Sequence, residues 1–253
     1  MQQRAGLGEA LELMKDLRRR CEWDAAQTHE SLRPYLVEEA YEVDDAIRAG
    51  DDRALRGELG DLLLQVLFHS VVAEERNAFD FNDVVEGFLA KMKSRHPHLY
   101  EGGERQSWES MKAKQRESIV DGLPADLPSL HRAFRLQDRA AGVGFDWPDA
   151  AGAAEKIEEE LAEVRSELAS GAKPGAHGVP DAKLEEELGD LLFSVVNFCR
   201  KLGVHPSLAL DKANVKFATR FQAVEKLAKE RGVDVRTAGL EKLDQLWDEV
   251  KAG

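Results

Sequence analysis

The chain contains little that would cross-link it, anchor it or break its helices. Of its 253 residues only two are cysteines, Cys21 and Cys199, far apart and in no C-x-x-C arrangement. That excludes a disulfide framework and reads as a pair of reduced thiols. Long apolar runs are also missing. The most apolar stretch, Leu62 to Ala73, contains Gln65, His69 and Ser70 and is too short to span a bilayer. Residues 1–15 include acidic side chains and no apolar h-region, so no signal peptide is expected and the cytoplasm is the expected compartment. Positive charge is in deficit, with a formal net charge of −13. This argues against a nucleic-acid binder, which needs a basic footprint. It leaves room for a phosphorylated small molecule, because clustered carboxylates reach phosphate through a divalent cation. There is no Walker A loop, no G-x-G-x-x-G after a strand and no Ser/His/Asp grouping.

Proline is scarce as well, at 8 residues, while Ala, Leu, Glu, Lys and Arg recur at helical spacing. The chain therefore reads as all-α. Helices are predicted over 8–21, 35–49, 52–76, 83–95 and 108–120, and again over 131–141, 150–170, 181 onward, 206–231 and 240–251. The residues from Thr28 to Pro34 read as a break, and the helix from Asp52 as a buried central one, since it is apolar all round. Laying one half on the other gives matches in order. Glu38-Glu39-Ala40-Tyr41-Glu42 answers Glu159-Glu160-Leu161-Ala162-Glu163, and Glu58-Leu59-Gly60-Asp61 answers Glu187-Leu188-Gly189-Asp190. Lys91 with Arg95 answers Lys216 with Arg220, and Trp108-Glu109-x-x-Lys112 answers Trp247-Asp248-x-x-Lys251. Ordered matches whose offsets drift with loop length mark a duplication. Two tandem helical-bundle domains are predicted, 1–121 and 131–253, joined by a linker at 122–130.

The repeated residues are mostly acids three apart, which share a helical face. Like charges so placed repel, a poor choice if stability were their only purpose. Glu160 with Glu163, and Glu187 with Asp190, would converge if their helices pack antiparallel. So would Glu39, Glu42, Glu58 and Asp61 in the first half. Carboxylates cannot share such a volume without a cation or large pKa shifts, and an all-oxygen donor set selects a hard ion. Mg²⁺ is the expected one, with Mn²⁺ able to substitute. A lone E-x-x-E is ordinarily a solvated helix face; the repetition and the apolar residues around Asp190 weigh against that here. A di-iron bundle would need Glu-x-x-His, and none of the 7 histidines has a carboxylate three residues before it. Lys216 and Arg220, one turn apart, could hold phosphate oxygens beside such a cluster, although alone they read as an exposed basic face. Trp247 fits a base platform and a core position equally well, and Lys183 could reach a phosphate or simply balance the acid.

E-E-x-x-E followed after a gap by E-x-x-D resembles the signature of the MazG-like, all-α nucleoside triphosphate pyrophosphohydrolases. It is present twice, and Cys21-Glu22-Trp23-Asp24, Arg95-His96-Pro97-His98, Val143-Gly144-Phe145-Asp146-Trp147 and the segment from Lys212 to Phe221 extend the likeness over nearly the whole chain. The resemblance implies hydrolysis of NTPs and dNTPs, over a broad range of bases, to the monophosphate and pyrophosphate, with Mg²⁺, in a homodimer. It implies Glu160, Glu163, Glu187 and Asp190 as metal ligands, and Lys183, Lys216, Arg220 and Trp247 as nucleotide contacts. Either Glu159 or Glu163 is expected to take the proton of the attacking water, and Lys216 and Arg220 to steady the leaving pyrophosphate. Ala54 stands where the second half has Lys183; the alternative is a regulatory module, the first domain or the whole protein, that binds nucleotide or a protein partner without turnover.

Overall fold

Short polar residues set where five of the described helices begin. Asp51 accepts from the backbone N–H groups of Arg53 and Ala54, Asp149 from Ala151, and Asp181 from Lys183 and Leu184. Thr28 and Ser31 cap each other reciprocally, as do Asp80 and Asp83. The structure, a computed structural model, describes residues 6–100, 102, 116–171 and 181–252. The described elements are helices: α1 (Leu7–Arg20), α2 (Glu22–Ala26), α3 (His29–Ala49), α4 (Asp52–Glu75), α5 (Phe81–Arg95), α6 (Pro97–Tyr100), α7 (Ser129–Gly142), α8 (Ala150–Ala169), α9 (Ala182–Lys201), α10 (Pro206–Glu230) and α11 (Gly239–Ala252). None is long and apolar enough to cross a membrane.

The chain divides into two compact units, Met1–Arg105 and Gln106–Gly253. In the first, α3 and α4 form an antiparallel hairpin, turned by Gly50 in the left-handed region at φ 67°. α1 and α5 pack on α4. The core is Met14, Leu32, Leu67, Phe68, Val71 and Val72, each side chain contributing about 1.5–3 kcal/mol by its burial. Arg18 ties the corner together, donating to the carbonyls of Asp24 and Gln27 and pairing with Glu75.

In the second unit α8 and α9 form the matching hairpin, α7 packs on α9 and α10, and α10 pairs with α11 around Val224, Ala228 and Leu246. Residues 116–121, expected in the first domain, and the linker expected at 122–130 fall in this unit. Arg139 donates to the carbonyls of Ile119 and Asp121 at 2.7 and 3.0 Å.

Three readings change. The helix expected from Tyr35 starts at His29, because the Thr28–Ser31 cap anchors it and Pro34, inside it, forfeits only one backbone bond. The α4 helix buries most of its residues between Gln65 and Ala73, while Leu59 and Leu64 are exposed, so its acidic half is open rather than central. The helix expected over 108–120 gives way to turns at 117–120. Its remainder, including Trp108, Glu109 and Lys112, lies outside the described residues, as does the loop residue span 172–180.

Candidate metal and nucleotide site

The α8–α9 hairpin runs antiparallel, as its polar contacts show. Glu167 late in α8 faces Lys183 early in α9 at 3.4 Å, and Asp146 before α8 pairs with Arg200 and Lys201 at the end of α9. Between these ends Glu160, Glu163 and Glu187 each offer a carboxylate oxygen within 4.8 Å of the others. Glu39, Glu58 and Asp61 form the same kind of group across α3 and α4.

Glu160 is the anchor of the second group. It is 4 % exposed, and its Oε2 has no hydrogen-bond partner among the described residues. Its Oε1 takes Lys156 Nζ at 2.6 Å, and the same ammonium reaches Glu159 at 3.0 Å. These two carboxylates push the Lys156 pKa well above the ordinary lysine value. Partial desolvation, then the carboxylates of Glu160 and Glu187, raise Glu163 above the usual glutamate value. Glu39 is raised in the same way, by burial and then by Asp61, Glu42 and Glu58.

A buried carboxylate with one orphaned oxygen, grouped with two further carboxylates, fits a hard divalent cation, which would satisfy it and remove the repulsion.

In each unit one acidic pair stays together, Glu160 with Glu163 and Glu58 with Asp61, while the pair on the other helix is split. Asp190, one methylene shorter than Glu187, stays outside the three-residue group, and so does Glu42 in the first unit. Glu159 turns to Lys156.

Lys183 is exposed beside Glu167, Lys216 is exposed and Arg220 half-buried on α10. No hydrogen bond or ion pair among the described residues joins Lys216 or Arg220 to the carboxylates. Trp247 packs on the Val224–Leu246 core with its ring 5.4 Å from Phe217, and so serves at least partly as core.

Lys156 was not singled out from sequence, although its i, i+4 spacing to Glu160 is a readable signal. Its counterpart in the first unit, 121 positions earlier (160 − 39 and 156 − 35), is Tyr35. The first acidic group therefore lacks an internal lysine of this kind.

Residues 27–100 and 151–226 each match the MazG nucleotide pyrophosphohydrolase domain. The chain belongs to the MazG family. It is 43% identical to the nucleoside triphosphate pyrophosphohydrolase/pyrophosphatase MazG of Thermotoga maritima, over 97% of this chain and 95% of that protein. It is 40% identical to the nucleoside triphosphate pyrophosphohydrolase of Escherichia coli K12, over 95% and 94% of the two chains. An uncharacterized Bacillus subtilis protein, YabN, shares 39% identity over 91% of this chain and 48% of its own length. Both matched segments of the MazG family domain contain one of the acidic groups, Glu39–Asp61 in the first and Glu160–Glu187 in the second.

Proposed function

We propose that the chain hydrolyses nucleoside triphosphates, ribo- and deoxyribo- alike, to the monophosphate and pyrophosphate, with Mg²⁺ as cofactor and Mn²⁺ as a substitute. The observation that carries this reading is the Glu160–Glu163–Glu187 group with its buried, unpartnered oxygen, in a chain of the MazG family. The names of the Thermotoga and Escherichia relatives support the reaction class.

Glu160, Glu163 and Glu187 would hold the cation, with Asp190 beside them completing its oxygen shell. When bound, a divalent cation neutralises the triphosphate and makes water a better nucleophile. Glu159, which lies beside Lys156, and Glu163 are the two candidate proton acceptors. Lys216 and Arg220, one turn apart on α10, suit the departing pyrophosphate, whose charge must be met for it to leave. Lys183 lies one turn before Glu187 and is free to exchange its long contact to Glu167 for a phosphate. A homodimer accords with the large side chains left uncovered on the site helices, Tyr35, Leu36 and Val37 on α3 and Leu188, Leu192 and Val195 on α9.

Full-length Glu187→Gln and Asp190→Ala proteins test the assignment in a pyrophosphate-release assay with dATP and Mg²⁺. Both should lose release by at least ~100-fold while keeping their circular dichroism spectrum. Turnover at the wild-type rate in either would sink it.

The first unit favours a second, binding-only reading, since Tyr35 replaces Lys156 and Ala54 replaces Lys183 there. Glu58→Gln then leaves dATP turnover unchanged, and a loss as large as that of Glu187→Gln would refute it.

A further inference from the structure

The buried residues of α8 are Ala153, Glu160 and Val164, which fall on one stripe of the helix. An acid thus occupies a core position, and where its carboxylate lies depends on how α8 is turned about its own axis. A turn of about 20° moves a group at the side-chain radius, roughly 5–6 Å, by ~2 Å. Metal–ligand distances tolerate only about 0.2 Å. One end of the α8–α9 hairpin does little to set that rotation. Glu167 meets Lys183 there at 3.4 Å with the lysine side chain 73% exposed, and such a contact is weak.

The other end is tied firmly. Asp146, just before α8, pairs with Arg200 and takes Lys201 Nζ at 3.1 Å, both from the end of α9. The three side chains are only 22, 11 and 13% exposed, so water screens them little. Asp146 also accepts the Trp147 N–H at 2.9 Å, and Lys201 Nζ donates to the Trp147 carbonyl at 2.6 Å. Trp147 is held at both of its backbone polar groups. Its ring lies against the first turn of α8, where a Cβ on Gly152 would come within 2.8 Å of it. An apolar side chain packed in this way from just before the cap fixes the angle at which the chain enters the helix. Gly152 adjoins Ala153, the first residue of the buried stripe. The end of α9 is itself secured from α7, since Gln137 donates to the Phe193 carbonyl at 2.8 Å. Asp146 lies 14 positions before Glu160 (160 − 146) and Lys201 lies 14 after Glu187 (201 − 187), so the two helices reach the carboxylates over matching lengths.

The first unit ties the corresponding corner with other residues. In the register that pairs Glu58 with Glu187 (187 − 58), Phe68 stands for Asn197, and Val71 and Val72 stand for Arg200 and Lys201. All three are buried in the core, so α4 has no cation to offer there. Arg18 of α1 supplies it instead, donating to the carbonyls of Asp24 and Gln27 just before α3 and pairing with Glu75 at the end of α4. In both units the entry to the first hairpin helix is fastened to the end of the second.

We infer that the corner of Asp146, Arg200 and Lys201 sets the rotation of α8 through Trp147 and Gly152, and so places Glu160 for the cation. Asp146 is a positioning residue and not a ligand. This rests on the metal-dependent reading above and adds what holds its ligands in place.

The full-length protein is titrated with Mn²⁺, and the free ion is followed by electron paramagnetic resonance. The second unit's site is the one that Glu187→Gln loses. Asp146→Asn keeps the shape of the side chain but turns one oxygen into a donor facing a cation. Gly152→Ala displaces the Trp147 ring and leaves every charge intact. Each should weaken that site about tenfold. The double variant should be little weaker than either alone, because both act through Trp147. A merely structural contact would lower Tm and leave the Mn²⁺ affinity of the folded protein untouched. Circular dichroism at the titration temperature shows that each variant is folded, and Lys201→Met, which releases the Trp147 carbonyl, replaces one that is not. Unchanged affinity in either single variant, or a double variant weakened by the product of the two, would overturn the positioning role while leaving the hydrolase reading intact. Undiminished Mn²⁺ binding by Glu187→Gln would overturn both.

Discussion

Replacing Lys156 by Met tests whether Glu160 is built for a cation. Methionine keeps most of the stem and its packing but removes the ammonium that lies 2.6 Å from Glu160 Oε1. Glu160 keeps its burial and loses its only partner among the described residues, since Oε2 already has none. Breaking a fully buried ion pair costs about 3–5 kcal/mol. The Lys156 side chain is 38% exposed, against 5% for that of Glu160, so water screens part of the attraction and the loss should be about 1–3 kcal/mol. For a unit of this size that lowers Tm by roughly 4 °C per kcal/mol, or about 4–12 °C in all.

The variant's response to metal decides the matter. A cation bound by Glu160, Glu163 and Glu187 replaces the missing charge, and at 100 times its Kd it stabilises the unit by about 2.7 kcal/mol. Lys156→Met should thus be markedly less stable than wild type in EDTA and close to it in excess Mg²⁺. Differential scanning calorimetry in the two buffers reads both values, with the transition of the second unit followed. An equal deficit with and without Mg²⁺ would show that the carboxylates do not share an ion. No deficit in EDTA would show that Lys156 does not hold Glu160.

Three further outcomes follow from the geometry. Phe68→Ala removes a side chain that is 2% exposed, and should cost the first unit about 3–5 kcal/mol in urea unfolding, with dATP turnover of the second unit unchanged. His69 Nδ1 lies 2.8 Å from His29 Nδ1, which requires at least one neutral ring, and burial followed by the charge of His29 lowers the His69 pKa below 6.5. Since the unfolded chain then binds more protons, this contribution is whole above pH 6.5 and is lost as pH falls through and below it; Tm should drop between pH 7.5 and 5.5, and His69→Leu should flatten that slope. Burial raises the Asp146 pKa, but hydrogen bonds from Arg200 and Lys201 outweigh it and leave the carboxyl below its usual value. Arg200→Ala should therefore loosen the Gly144–Trp147 loop, seen as faster amide hydrogen exchange there, and an unchanged exchange rate would refute the coupling.

The helices and the acidic groups were legible because both depend on spacing along one helix. Asp51 and Asp181 announce α4 and α9, and acids three apart announce a shared face. What spacing cannot give is rotation about the helix axis relative to a neighbour. Hence Glu39 with Glu58 and Asp61, and Glu160 with Glu163 and Glu187, are brought together, while Glu42 and Asp190 flank. The full extent of α3 was hidden by Pro34, which reads as a breaker unless the Thr28–Ser31 cap before it is recognised. Gln137 carries no motif at all. Its meaning comes from a carbonyl 56 positions away, and only packing supplies such a partner.

The two units show one helix register used in two ways. α4 spends the stripe beyond its acids on the core, burying Gln65, Leu67, Phe68 and Ser70 to Ala73. α9 buries only Ser194 and Val196 and leaves Phe193, Asn197 and Arg200 around a cavity. Losing that apolar burial forfeits stabilisation, and α9 is held instead by polar contacts: Gln137 on the Phe193 carbonyl, Arg200 and Lys201 on Asp146. Apolar packing is non-directional, whereas a hydrogen bond fixes both distance and orientation. A unit that must hold Trp147 and the carboxylates in register gains from contacts of the second kind. The first unit, with Phe68 in place of Asn197, spends that position on its core instead.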